Sequence, residues 1–211
     1  MEKNKLVKYE SGALQKVCNA ITITNKLIAE KYFEEANDLQ YKHRKYNEAS
    51  IYYLKAIELV PNHIAALNNY AQNLRLNIKN YQEAILYYSK VIELNPKYEH
   101  ALFQRGLCKE SLGDYLGRIE DLSKLIDLNP NDLHLYSSRA ITKEKNKDYK
   151  GVIEDCTHVI NNNENDSFSY FFRGKAELEI NDKTGAYEDF CKAVELGSKS
   201  AEKAIKENFS K

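Results

Sequence analysis

A 34-residue period runs through this chain and constrains its fold more than any other feature. Residues 99–132, EHALFQRGLCKESLGDYLGRIEDLSKLIDLNPND, are one copy. The three prolines, Pro61, Pro96 and Pro130, stand 35 and 34 residues apart. Tyr46, Tyr81, Tyr115 and Tyr149 each precede a proline, or the place where one would stand, by fifteen residues. Before those places the chain repeats Ile57-Glu58-Leu59, Ile92-Glu93-Leu94, Ile126-Asp127-Leu128 and Val194-Glu195-Leu196. Such a period means stacked supersecondary units rather than one central core.

Each unit resolves into two helices. In 99–112, Leu102, Cys108 and Leu112 fall on one face with Ala101 and Gly106 beside them. Gly113-Asp114 breaks that helix, and a second begins at Tyr115, with Ile119, Leu122, Leu125, Ile126 and Leu128 at three-to-four spacing. Asn129-Pro130 ends it, because proline cannot continue the hydrogen-bond ladder and drives its predecessor out of the helical region. Asn131-Asp132 then offers a cap for the next helix. Small residues recur in the first helices (Ala71, Gly106, Ala140, Gly174) and the second (Ala49, Ala84, Val152, Ala186), where helices must approach closely.

These small crossings, the turn tyrosine and the terminal proline resemble the tetratricopeptide repeat family, in units 30–63, 64–98, 99–132, 133–166 and 167–198. The resemblance implies an all-α, right-handed superhelical solenoid of helix-turn-helix repeats. The chain departs from the pattern in having no tryptophan, in Arg118 at a small position, in Lys183 for the tyrosine, and in Glu164 and Ser198 for the proline. One extra residue falls in repeat two, within Asn77–Asn80. Residues 1–29 read as an N-terminal capping helix over the first repeat, the alternative being an interaction element, with Ser11 as its cap and Leu14, Val17, Cys18, Ile21, Leu27 and Ile28 as its stripe. Residues 199–211 read as a C-terminal solvating helix that buries Ala201, Ala204, Ile205 and Phe209.

Lys plus Arg and Asp plus Glu both number 31, so the formal net charge is zero. The excess basic charge that nucleic-acid binding relies on is absent, and Glu34, Glu35 and Asp38 make the start of the array acidic. No apolar run approaches the ~18 residues of a membrane span, and nothing resembles a signal peptide. Cys18, Cys108, Cys156 and Cys191 show no CxxC spacing and read as free thiols of a cytoplasmic protein. The five histidines form no metal motif; His100 and His134 sit one repeat apart, roughly 10 Å. No phosphate loop, nucleophile elbow or dinucleotide fingerprint is present. The expectation is a protein without enzymatic activity and with no cofactor and no metal.

Two patterns, one of charge and one of glycine, distinguish repeats three to five. Arg105, Arg139 and Arg173 are each followed sixteen residues later by Asp121, Asp155 and Asp189; repeats one and two carry Ala36 with Tyr52 and Tyr70 with Tyr87. This co-variation along the chain predicts structural ion pairs, within a hairpin or across to its neighbour. The same repeats place Gly117, Gly151 and Gly185 early in the second helix, as if something approached closely there.

The resemblance places a partner-binding groove on the first helices. Helical phase points Asn68, Asn69, Gln72, His100, Phe103, Gln104, His134, Ser138, Phe171 and Lys175 into it. Amides there can pair with the backbone of an extended peptide, and Phe103 and Phe171 can hold apolar side chains. The carboxylate clamp of some family members, which holds chaperone C-termini, corresponds here to Glu34, Asp38, Asn69, His100 and Gln104. Only Asn69 matches, so a clamp of that kind is not expected. The resulting reading is a protein-interaction module or scaffold for a peptide or partner protein. The alternative is a homodimer, through the N-terminal helix or a tyrosine-rich convex side made of Tyr52, Tyr53, Tyr87 and Tyr88.

Overall fold

Tyrosine and aspartate residues at the helix starts, and glycine or lysine just before them, set the hairpin geometry seen in the computed structural model. The structure describes residues 2–209, with side chains from residue 14 onward. All regular structure among them is helical: α1 Glu2–Asn37, α2 Tyr46–Leu59, α3 Ile64–Asn73, α4 Tyr81–Leu94, α5 Glu99–Ser111, α6 Tyr115–Leu128, α7 Leu133–Lys145, α8 Tyr149–Asn162, α9 Ser167–Glu179, α10 Lys183–Glu195 and α11 Lys199–Phe209. Two compact bodies form, Met1–Ala101 and Leu102–Lys211. In the first, α1, α2, α3 and α4 pack in succession; in the second, α6 through α11 do the same. Each body is therefore a run of helical hairpins packed neighbour on neighbour.

The turn inside every hairpin uses one backbone device. Two residues before each second helix, the chain takes a positive φ: 56° at Arg44, 65° at Lys79, 80° at Gly113, 60° at Lys147 and 66° at Asn181. Asn80, Asp114, Asp148 and Asp182 then cap the second helices, each accepting from the backbone N–H three residues on, at 2.9–3.2 Å. Asp166 caps α9 in the same manner, and Asp132 caps α7 by accepting from the N–H two residues on, that of His134. At α3 the cap is His63, whose Nδ1 accepts from Ala66 N–H at 3.3 Å.

Repeats one and two both end their first helix in a π-turn, Asp38–Lys42 and Leu74–Ile78. Each turn absorbs one extra residue, so the small residue precedes the tyrosine by ten positions (Ala36 to Tyr46, Ala71 to Tyr81) rather than nine (Gly106 to Tyr115). The extra residue therefore belongs to both repeats and lies inside the helix. This corrects the register of repeat one. Ala36, fully buried, is the small crossing residue, and the counterpart of Arg105 is Glu35.

The N-terminal segment also departs from expectation. Helix α1 runs unbroken from Glu2 to Asn37, so Ser11 lies within it and caps nothing. Leu14, Val17, Ile21 and Leu27 are exposed, and between residues 14 and 29 only Ala29 is buried. A continuous helix whose final part already packs on α2 cannot fold back, and residues 14–28 cover no repeat face. Thr22 and Thr24 donate their hydroxyls to the carbonyls of Cys18 and Ala20 at 2.9 Å, so both hydroxyls are satisfied within the helix. At the other end α11 buries Ala201 with Ala204, Ile205 and Phe209 against Phe190 and Ala193.

A non-glycine residue in the left-handed region costs roughly 1–2 kcal/mol, offset in part by the entropy glycine adds to the unfolded chain. Lys147→Gly is expected to raise stability by about 0.5 kcal/mol, and Gly113→Ala to lower it by about 1 kcal/mol, in urea unfolding.

Candidate functional site

In repeats three to five an arginine on the first helix reaches an aspartate on the second. Arg105 donates from Nε and Nη2 to Asp121 at 3.0 and 2.5 Å, Arg139 to Asp155 at 3.0 and 2.6 Å, and Arg173 to Asp189 at 2.7 and 2.8 Å. The aspartates are buried. Arg139 also donates from Nη1 to Ser123 Oγ at 3.0 Å, and Arg173 to Thr157 Oγ1 at 3.1 Å, both on the preceding hairpin. Each of these two arginines thus joins the residue sixteen ahead to the residue sixteen behind. The hydrogen bonds to aspartate push the Arg139 and Arg173 pKa values up further. Tyr136 and Tyr170 lie under the two guanidiniums, 5.6 Å from ring centre to Cζ. Their donors are directed at protein groups rather than at solvent anions.

A lysine completes two of these sites. Lys109 lies 3.0 Å from Asp121 and donates to the Gly117 carbonyl at 3.1 Å; Lys143 lies 3.0 Å from Asp155 and donates to the Gly151 carbonyl at 3.2 Å. This explains the glycines. A Cβ at Gly117 or Gly151 would stand 2.8 Å from the lysine Cδ and closer still to the capping aspartate. Side chains, not a neighbouring backbone, occupy the space. Arg118, the large residue at a small position, is buried against Gly106, which supplies the room, and pairs with Glu110. Glu110 also takes Lys145 of the next repeat at 2.7 Å. Burial lowers the Arg118 pKa.

Repeat two fills the equivalent place with rings. Tyr70 and Tyr87 meet edge-on at 4.6 Å, and Tyr70 donates to Glu83 at 2.8 Å. Burial raises both tyrosine pKa values. Tyr53 and Tyr88 are fully buried, so the tyrosine-rich convex surface expected from the sequence does not exist: every second tyrosine of the Tyr-Tyr pairs faces the core.

The expected groove residues divide between the bodies. In the first body they form a chain of side-chain hydrogen bonds. His100 Nδ1 lies 3.1 Å from Asn68 Oδ1, Asn68 Nδ2 donates to Asn69 Oδ1 at 3.3 Å, and Asn69 Nδ2 donates to Asn37 Oδ1 at 2.9 Å. The Tyr53 hydroxyl stands 2.8 Å from both Asn37 Oδ1 and Gln40 Oε1. Tyr41 donates to Gln72 Oε1 at 3.3 Å. Desolvation, then Arg75, holds the His100 pKa down, so the imidazole is neutral at pH 7. With Nδ1–H donating to Asn68, Nε2 is left as an acceptor. Sequence reasoning missed Asn37 and Gln40 because of the displaced register. The correction also moves the clamp positions of repeat one from Glu34 and Asp38 to Phe33 and Asn37, so acidic repulsion no longer counts against a clamp. Glu34 is exposed and Asp38 pairs with Lys42 at 2.8 Å.

In the second body Phe171 and Lys175 line a cavity of about 420 Å³ between α9 and α11, floored by Leu178, Phe190 and Ala204. Lys175 pairs with Glu144 and lies 5.7 and 5.1 Å from the ring centres of Phe171 and Phe172. Phe103 is half-buried, and Gln104 Oε1 is buried without a hydrogen-bond partner. His134 is exposed and Ser138 half-buried. Among the described residues no three His, Cys, Asp or Glu side chains converge as metal ligands, and no helix is long and apolar enough to cross a membrane. Cys108 and Cys156 are buried, and burial pushes the Cys156 thiol up to about 12.

The sequence of residues 64–98 and 99–132 matches the tetratricopeptide repeat family. These two segments are tetratricopeptide repeats. The backbone of the chain is similar to a crystal structure of MamA (18% identity over 87% of this chain and 96% of that one, TM-score 0.69). It is equally similar to YrrB, described as a TPR protein with an unusual peptide-binding site (16% identity, 83% and 90% covered, TM-score 0.69). A tetratricopeptide repeat protein from Parabacteroides merdae shares 21% identity (85% and 82% covered, TM-score 0.56). At these identities the likeness carries the fold alone. No curated protein sequence matches the chain.

One position departs from the lysine pattern of repeats three and four. Glu177 stands where Lys109 and Lys143 stand, beside Asp189, with Arg173 Nε at 3.9 Å and Oε2 buried without a hydrogen-bond partner. Desolvation, then the Asp189 charge, raises its pKa to about 7, with Arg173 opposing and Asp182 adding. A carboxyl raised in the fold binds its proton more tightly there than in the unfolded chain. Its contribution is complete below the unfolded value and is lost as pH rises through about 7. Wild-type melting temperature is therefore expected to fall between about pH 4.5 and pH 7 by more than that of Glu177→Gln. Glu177→Lys, which restores the residue of repeats three and four, should raise it at pH 8.

Proposed function

We propose that the chain is a protein-interaction module without enzymatic activity, and that it takes an extended peptide along the first-helix face. The observation that supports this best is the polarised chain from His100 through Asn68 and Asn69 to Asn37. Each amide spends one N–H or its oxygen on its neighbour. That leaves spare N–H groups on Asn37, Asn68, Asn69 and Gln72, and an acceptor at His100 Nε2. Peptide carbonyls and one peptide N–H match such a set whatever the side chains, because the backbone presents the same groups at every residue. Held amides lose little rotamer freedom on binding, which lowers the cost of association. The cavity beside Phe171 would take one apolar side chain of a ligand on the second body. A site that takes peptide is reported for YrrB in its own description, which agrees with this reading. Four unbridged cysteines agree with a cytoplasmic setting.

The test is selection of binders from a random linear peptide library, followed by titration against Asn69→Ala and His100→Ala. Each variant is expected to weaken the selected peptides at least ~10-fold, equivalent to about 1.4 kcal/mol, while the circular dichroism spectrum stays helical. Selected peptides whose affinity neither substitution changes would place the site elsewhere.

A further inference from the structure

The exposed stripe on α1 calls for a partner. Leu14, Val17, Ile21 and Leu27 are 65, 56, 54 and 63% exposed, and Ile28 is 38% exposed. Among the residues whose side chains are described, the stripe follows seven-residue intervals, Leu14, Ile21, Ile28 and Ala20, Leu27, with Val17 and Thr24 between them. The Thr24 hydroxyl is spent on the Ala20 carbonyl, so it brings no unmet polar group to the stripe. Gln15, Asn19 and Lys26 stand on the opposite side, with Gln15 donating to Asn19 at 3.1 Å, and Ile23 is the one large apolar residue of 14–28 exposed there. The helix is thus two-faced, and a contiguous apolar face of this kind marks an interaction surface.

We infer that a second copy of this chain covers the stripe, α1 against α1. A strict seven-residue spacing selects a helix as the covering element, because only a supercoiled helix keeps meeting rows spaced that way. The charges select which helix. From Ser11 to Ala29 there is no acidic residue, and the two lysines, Lys16 and Lys26, stand off the stripe. A charged partner helix would gain no ion pair here. A copy of the same helix brings no like charge to the seam and sets Ala20 against large residues. Nor does this chain supply another spare helix among its described residues: α11, the two-faced C-terminal helix, already buries its stripe on Phe190. The pairing uses a surface separate from the amide chain and stands or falls independently of peptide binding.

Light scattering coupled to size exclusion on the full chain, over a dilution series, decides it. Wild type is expected at twice the chain mass, and Leu14→Glu/Ile21→Glu at the single-chain mass with an unchanged helical spectrum; both positions are exposed, so folding does not depend on them. Lys26→Glu, on the back of the helix, should stay at the doubled mass. A single-chain mass for wild type at every concentration would overturn the inference. So would a doubled mass that survives Leu14→Glu/Ile21→Glu, or one lost equally in Lys26→Glu.

Discussion

A buried carboxylate gripped by an arginine is the contact on which the second body depends. Asp155 is taken out of water at the centre of a hairpin, and that is tolerable only because Arg139 and Lys143 surround it with charge-assisted hydrogen bonds. The same guanidinium spends its remaining donors on the hairpin before it. One side chain therefore fixes both the pairing of two helices and the stacking of one repeat on the next. Arg173 repeats the arrangement one unit later. A lysine could not do this, since the planar fork is what lets three separate donors point in two directions.

The rest of each hairpin is arranged around that grip. The lysine that helps neutralise the aspartate runs across the start of the second helix, where a side chain would collide with it, and glycine stands there. The capping aspartate uses the same free space. Where repeat five substitutes Glu177 for the lysine, the geometry is retained but the charge is reversed, and a proton takes over part of what the ammonium does elsewhere. In the first body the chemistry is different. Tyrosine rings and amides replace the ion pairs, and the amides line up as a hydrogen-bonded chain.

Much of this was legible in the sequence. The prolines, the turn tyrosines and the Ile-Glu-Leu runs mark the repeats, because proline and turn residues act locally and at fixed offsets. The sixteen-residue interval from arginine to aspartate was visible too, but not the third partner sixteen residues behind, since serine and threonine do not stand out in a charge pattern. The register of repeat one was missed because an extra residue was expected in a loop and sits in a helix as a π-turn. The ten-residue step from Ala36 to Tyr46, against nine in later repeats, was the available signal. Tyr53 and Tyr88 were placed on the surface by analogy with Tyr52 and Tyr87, although adjacent residues on a helix face directions about 100° apart. The open stripe of α1 was read as a cap because sequence gives the stripe but not what lies beside it.

The account rests on the claim that the arginine–aspartate grip holds the hairpins, and a double-mutant cycle at Arg139 and Asp155 tests it most directly. Urea unfolding of Arg139→Ala, Asp155→Ala and the pair would be compared with wild type. Asp155→Ala strands two buried cations and should cost about 3 kcal/mol, and the double variant should cost much less than the two single losses added together. Single losses under about 0.5 kcal/mol, or losses that simply add, would contradict the account.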